Sequence, residues 1–316
     1  MIRQVNFLEV SLEILMHLDP AQLAALAAIL RLGSFDAAAQ ALGVTPSAIS
    51  QRLKALEEQV GTTLVTRGTP NTGTSEGLRL AKHAEDVALL QAQALRDIGQ
   101  ADRGTGRVTL AVPADSLGSW PVEAPAAVPE LLFDVRIDDQ DTSDDWLRRG
   151  EVSAAVTGHN RAAPGCDIFA LGSMRYIATA SPVFVARHFS NGVTAEALGL
   201  APMLTFNAKD RLQAHWAAAK AGPKVHPPAH QVPSTHAFVD AAAMGMAWGM
   251  NPEMLVCEHL ADGRLVALDP ALPLDVPLYW QVTRAMAPAL APLTRAVRQA
   301  GARHLLQGKC ENPPAA

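Results

Sequence analysis

Along the 316-residue chain, apolar and polar positions alternate in two different rhythms. From Asp19 to about Ile98 the apolar residues recur every three or four positions, which predicts amphipathic helices. Asp19 suits an N-cap and Pro20 the first helical position, with Leu23, Leu26, Ala27 and Leu30 following and Gly33 ending the run. Ser34 caps a short second helix that Gly43 closes. Thr45 caps a third, with Pro46 in its first turn and Ile49, Leu53, Leu56 and Val60 as its buried stripe. Thr63 to Thr66 reads as a short strand, followed by a Gly/Pro/Asn-rich turn. Thr74 or Ser75 then caps a long helix from about Glu76 to Ile98. Its Leu80, Ala84, Val87, Gln91 and Ala94 approximate a heptad seam, interrupted by Gln91, that suits dimerisation.

Beyond a hinge-like GQADRGTGR (99–107) the rhythm changes to short apolar runs between helical stretches. VTLAV (108–112), LLFDVRI (131–137) and VSAAVTG (152–158) read as strands. MLTF (203–206), HQVPS (230–234) and the strand-like MAWGM (246–250) follow. Helices are expected near Leu212 to Ala221 and Ala237 to Met244. Strands alternating with helices predict an α/β fold with parallel sheets and helices on both faces.

Composition narrows the function classes. Aromatic residues are only 5%, which argues against single-strand nucleic-acid binding by base stacking. The formal net charge is −5, so any DNA binding rests on a local patch and not on a bulk basic field. The three cysteines, Cys166, Cys257 and Cys310, are far apart, which fits neither a disulfide framework nor a zinc cluster and suggests a reduced, cytoplasmic setting. The N-terminus lacks a signal-peptide pattern, and no stretch approaches a membrane span of roughly 20 apolar residues. Residues 1–17 read as an extension, with Met16 an alternative start to Met1, and residues 306–316 as a flexible tail.

The third helix carries an unusual polar face. Ser47, Ser50, Gln51 and Lys54 line the side opposite its apolar stripe. Two short helices joined by the Gly-containing turn GVT make a helix-turn-helix, whose second helix can lie in the major groove of double-stranded DNA. Short hydroxyl side chains near its start can bond bases or phosphates. Gln51 can pair with adenine, while Arg52 and Lys54 can hold the backbone. Ser34, Thr45 and Pro46 lie at the adjoining helix starts. Arg67, Thr72 and Thr74 lie in a following wing that can rest on phosphates. A helical hairpin with a solvated polar side would show the same stripe, and it is the wing that weighs against that reading.

These residues resemble the LysR-type transcriptional regulators. The resemblance is carried by LDPAQLAALAAILRLGSFDAAAQALGVTPSAISQRLKALEEQVGTTLVTRG, then TSEG and the long helix, and it runs from Leu18 to about Leu305. A narrower similarity, to the ArgP/LysG branch that regulates basic amino-acid export, rests on AVPADSLGSW, DDQDTSDDWLRRGEVSAAVTG, FNAKDRLQ and VPSTHAFVDAAAMGMAWGMNPE. The resemblance implies a winged helix-turn-helix (18–75), a dimerising linker helix and hinge (76–106), and an effector-binding α/β domain (107–305) like the periplasmic binding proteins. That domain would have two subdomains, 107–178 with 265–305 and 179–264. The resemblance further implies a homodimer through the linker helix, a tetramer at a promoter, contact with RNA polymerase, and a small effector.

Ligands of such α/β folds sit in the crevice at the carboxyl ends of the strands. The residues there are Asp115 and Ser116, then Asp138, Asp139, Asp141, Thr142 and Ser143, then Phe206, Asn207 and Asp210, and finally Ser234 and Thr235. Hydroxyls at helix starts suit an α-carboxylate, and carboxylates suit ammonium groups, so the set fits a basic amino acid such as lysine or arginine. Ser116, Thr142 or Ser234 is expected near the carboxylate, with Asp139, Asp141 or Asp210 near the ammonium ends. Capping alone would also place Asp, Ser and Thr at helix starts. No cofactor or metal is expected: His226, His230 and His236 lie in a proline-rich stretch, and no GxSxG, P-loop or GxGxxG pattern is found. Met244, Met246 and Met250 read as core packing. An enzyme is disfavoured, and the alternative to a sensor is an architectural DNA-binding protein that senses nothing.

Overall fold

The computed structural model describes residues 17–99, 106–138 and 143–308. The expected N-terminal extension, the choice of start, most of the hinge, the acidic stretch 139–142 and the last eight residues of the tail lie outside the described residues. The chain divides into two compact units, Met1–Gln100 and Ala101–Ala316.

The first unit is α1 (Pro20–Leu32), α2 (Phe35–Leu42), α3 (Pro46–Val60), β1 (Val65–Thr66), β2 (Thr72–Gly73) and α4 (Ser75–Asp97). Its helix boundaries follow local chemistry. Asp19 Oδ1 accepts from the N–H groups of Ala21 (2.7 Å) and Gln22 (3.0 Å), and Gly33 ends α1 in the left-handed conformation at φ 67°. Leu23, Leu26, Ile29, Ile49, Leu53, Leu56, Leu64 and Val65 form one buried cluster. The antiparallel β1–β2 wing is tied to this core twice. Glu57 Oε1 accepts from Leu64 N at 2.8 Å, and the Gly33 carbonyl accepts from both the backbone N and the Nδ2 of Asn71 at 2.9 Å each. Leu80 and Ala84, expected in a dimer seam, instead pack against this core. Leu78 near the start of α4, Leu90 and Leu95 further along it, and Ile98 at its C-cap have exposed apolar side chains.

The second unit continues with β3 (Gly106–Pro113), α5 (Ala114–Leu117), α6 (Glu123–Ala126), β4 (Leu131–Asp138), α7 (Ser143–Arg148), β5 (Ala154–Thr157) and β6 (Cys166–Ala180). Next come α8 (Pro182–His188), α9 (Ala195–Leu200), β7 (Met203–Thr205), α10 (Leu212–Ala221), β8 (Ala229–Gln231), α11 (Thr235–Ala243) and β9 (Gly249–Pro252). The unit ends with α12 (Glu253–Ala261), β10 (Val266–Ala267), β11 (Leu274–Thr283) and α13 (Ala291–His304).

An all-parallel arrangement was expected, and the main sheet is mixed. Its seven strands run β10-β6-β11-β5-β3-β4, with β9 also paired to β6. Only β3 pairs in parallel, with β4 and β5, whereas β11 pairs antiparallel with both β5 and β6. The strands that change the topology, β6 and β11, had no sequence expectation, and neither had the short β10. Their charged and polar positions, such as Asp167, Arg175, Asp275 and Gln281, break the apolar runs that mark the other strands. The parallel pair β7–β8 forms a separate two-stranded sheet beside Trp248. Behind it Leu204, Phe238, Val239, Ala242, Ala247 and Val256 make a local core, while Ala111, Leu147, Val152 and Ala155 make another under α7.

The methionine expectation fails for two of the three residues. Met250 is buried in β9, but Met244 is 86% exposed and Met246 44%. Both sit where α11 ends in a turn around Gly245, so their side chains project outward.

Gly77 is a sharp test of the first unit's packing. A Cβ there would lie 1.9 Å from the Leu64 carbonyl oxygen, a backbone atom that cannot step aside. Helix propensity alone would have Gly→Ala stabilise α4 by about 1 kcal/mol. Overpacking should reverse the sign, so Gly77→Ala is expected to destabilise this unit by about 1–3 kcal/mol. The measurement is hydrogen–deuterium exchange of peptides from α3 and α4, and slower exchange in the variant would refute the close approach.

Candidate functional sites

The polar face of α3 lies open to solvent. Pro46, Ser47, Ser50, Gln51 and Lys54 are exposed, and Arg52 is half-buried. Thr45 Oγ1 accepts from Ala48 N at 3.2 Å and shares a hydrogen bond of 2.9 Å with Ser47 Oγ, so the N-cap also orients the first hydroxyl of the face. Lys54 pairs at 3.5 Å with Glu58 one turn on, and both side chains remain well exposed. Such an exposed pair is weak and can be exchanged for a phosphate. In the wing, Thr72 is exposed and the Arg67 guanidinium stands 5.3 Å from the Phe35 ring centre, which anchors this exposed cation beside the start of α2.

Two expected contact residues are committed to architecture. Ser34 Oγ accepts from Ala37 N at 3.4 Å, and Thr74 Oγ1 accepts from Gly77 N at 3.1 Å while donating to the Thr63 carbonyl at 3.0 Å. Thr74 therefore has its donor hydrogen bound to the protein. The exposed polar surface of this region comprises Thr45, Ser47, Ser50, Gln51 and Lys54, with half-buried Arg52 among them and Arg67 and Thr72 in the wing.

In the second unit, a cavity of about 90 Å³ opens where the end of β3, the β7–α10 loop, the start of α11 and β9 meet. Asp115, Phe206, Asp210 and Thr235 of the expected set line it. Asp115 is braced from two sides: its Oδ1 accepts from Thr235 Oγ1 and its Oδ2 from the Tyr176 hydroxyl, each at 3.0 Å. The Asp210 carboxylate accepts from Phe206 N at 2.8 Å and Leu212 N at 3.1 Å, so it shapes the loop as well as lining the cavity.

The other expected residues stand elsewhere. Ser116 is buried and not part of the lining. Asn207 turns its Oδ1 to the N–H groups of Lys209 (2.7 Å) and Asp210 (3.1 Å), and exposed Ser234 caps α11 at Ala237 N. Asp139, Asp141 and Thr142 lie outside the described residues.

The lining also holds residues with no sequence expectation: Lys209, Arg211, Gln213, His215 and Asn251. Gln213 and Asn251 are each 1% exposed. Asn251 Nδ2 donates to Thr179 Oγ1 at 2.9 Å, but neither Asn251 Oδ1 nor Gln213 Oε1 meets a donor among the described residues. Buried carbonyl oxygens without donors are costly, and both of these belong to residues that line the same cavity. The signal that could have found Asn251 is its place in WGMNPE, where a polar residue closes an apolar strand at a crevice.

The cavity is thus bipolar. A carboxylate and two amide oxygens offer acceptors, and Lys209, Arg211 and the start of α10 offer positive charge. Away from it, burial pushes the Cys166 thiol up to about 11, with Asp167 adding to the effect and Arg284 opposing it, so the sulfur stays a protonated, inert core group. Among the described residues, no three His, Cys, Asp or Glu side chains are grouped to hold a metal ion, and no helix is long and apolar enough to cross a membrane.

Known proteins share both halves. Residues 20–82 match the bacterial regulatory helix-turn-helix protein, lysR family, and residues 101–302 match the LysR substrate binding domain. The HTH-type transcriptional regulator LysG of Mycobacterium tuberculosis is 46% identical over 285 residues, covering 90% of this chain and 94% of that protein. The crystal structure of ArgP from Mycobacterium tuberculosis superposes with a TM-score of 0.76 at 46% identity, covering 93% of this chain and 100% of that one. A full-length LysG from Corynebacterium glutamicum with bound effector arginine gives a TM-score of 0.63 at 34% identity, covering 92% of this chain and 100% of that one. With an exposed polar face on the second helix of its helix-turn-helix, and with these matches over nearly its whole length, the chain belongs to the LysR family of DNA-binding transcriptional regulators and is not an enzyme.

Proposed function

We propose that this regulator senses a basic amino acid, arginine or lysine, in the cleft beside Asp115, and activates a gene for its export from within the cytoplasm. The observation that carries the reading is the pair of buried acceptors without donors, Gln213 Oε1 and Asn251 Oδ1, beside the Asp115 carboxylate. An ammonium or guanidinium group supplies the hydrogens these three oxygens lack or can share, while Lys209, Arg211 and the N-terminus of α10 suit the α-carboxylate. The arginine bound to the LysG of Corynebacterium glutamicum supports the same ligand class. A purely architectural role would leave the two buried oxygens without a purpose.

On the DNA side, Ser47, Ser50 and Gln51 read base edges in the major groove, and Arg52, Lys54, Arg67 and Thr72 hold phosphates. The protein acts as a dimer through the distal part of α4, where Leu90, Leu95 and Ile98 are exposed, and two dimers form the tetramer that contacts a promoter and RNA polymerase.

Replacing Gln213 by Leu removes an acceptor that has no partner in the unliganded protein. The variant should keep or raise its unliganded melting temperature, yet bind arginine about tenfold or more weakly, because a hydrogen bond to a charged group contributes about 1.5–3 kcal/mol. Isothermal titration calorimetry checks this, and an unchanged arginine affinity would remove Gln213 from the site. Gln51→Ala should relax preference at one base pair by about 1–3 kcal/mol, read by titrating operator variants. Equal losses on every sequence would mean that Gln51 only touches the backbone. Leu90→Glu should convert dimers to monomers in sedimentation velocity, and a persistent dimer would locate the interface elsewhere.

A further inference from the structure

A second cavity, of about 190 Å³, lies in the second unit between the main sheet and helices α6 and α13. It shares no lining residue with the cleft beside Asp115. Val112, Val135, Val156 and Trp280 reach it from the sheet, and Leu293 and Val297 from α13. Every residue around it is apolar. The one indole N–H in the wall is already committed, since Trp280 Nε1 donates to Thr294 Oγ1 at 3.1 Å.

Packed interiors hold few voids larger than a water molecule. This one is about six times the ~30 Å³ that a water occupies in the liquid. Water is a poor occupant, because it needs two or more polar partners and the wall offers none. A charged ligand would lose its hydration with nothing in return. An uncharged apolar molecule loses nothing and gains dispersion contacts on all sides. Access is at hand: the cavity reaches Val122, which is 59% exposed, between Pro121 and Pro125.

We propose that this cavity is a second small-molecule site, taking an uncharged apolar ligand of about the size of a substituted benzene. The site is independent of the amino-acid cleft and does not rest on the cleft's ligand. It lies under α13, so an occupant bridges that helix to four strands of the sheet.

Toluene and benzoate are the probes, added to the full chain in a thermal-unfolding titration. Toluene should raise the melting temperature saturably, by about 2–4 °C at ten times its Kd, and benzoate should not. Saturating arginine should leave the toluene response unchanged, and Val297→Phe, which fills the void, should abolish it. Crystals of the native chain soaked in bromobenzene supply a readout that does not depend on a variant folding: an anomalous bromine peak is expected between Trp280 and Val297. No response to toluene, an equal response to benzoate, competition by arginine, or a bromine peak confined to another site would each overturn the proposal.

Discussion

The antiparallel pairing of β6 with β11 is the constraint on which the sensing half depends. Leu274–Thr283 is matched to Cys166–Tyr176 along its length, with one irregularity beside Leu278, where Gly172 at φ 125° lets the chain pass within van der Waals reach of Leu305 and Leu306. Near the C-terminal end of β11, Gln281, with no exposed surface, donates to Thr157 Oγ1 and the Arg161 carbonyl and accepts from Ala163 N. All its bonds are satisfied inside the protein, so the network fixes register as well as adding stability. Because β6 then runs on to pair with β9 and β10, one strand carries both Tyr176, which braces Asp115, and Thr179, which holds Asn251. Cleft residues from distant parts of the chain are therefore mounted on one rigid element.

The DNA-reading half obeys a different economy. Its unit is small, and every helix start uses a side-chain cap: Asp19, Ser34, Thr45 and Thr74. A cap contributes about 1 kcal/mol, a large share of a small domain's margin. The capping hydroxyls are distinct from Ser47 and Ser50 on the exposed face of α3, although the Thr45 cap also bonds Ser47. The face left over, Ser47 to Lys54, combines compact groups near the helix start with cations one turn later, the order that groove insertion requires.

The cleft beside Asp115 and the void under α13 contrast in the same physical terms. The cleft leaves polar atoms without partners and so selects a polar, cationic guest. The void under α13 presents no polar atom and selects against one. Selectivity in each case comes from the cost of an unmet hydrogen bond.

Local rules were enough for much of this protein. Caps, glycine stops and the 3.6-residue stripe located α1 to α4 to within a residue or two, because helix ends are set by neighbours in the chain. The exposed face of α3 was legible for the same reason: the apolar stripe dictates which side turns outward. The strands β3 and β5 were legible as short apolar runs, and β4 as an apolar start followed by apolar and charged residues in alternation. What local pattern could not decide was the fate of residues whose partners lie far away. β6 and β11 carry charges that are neutralised across the sheet, as Arg175 is by Asp275 at 2.7 Å, so their apolar signal is diluted until the pairing is known. That the hydroxyls of Ser34 and Thr74 also cap helices emerged only from the fold, and Met244 looked like core until the turn at Gly245 faced it outward. Gln213 and Asn251 became candidates only when folding took away their water and supplied no donor in return. Side-chain identity is a property of the chain; an unmet hydrogen bond exists only once the tertiary fold has removed the solvent.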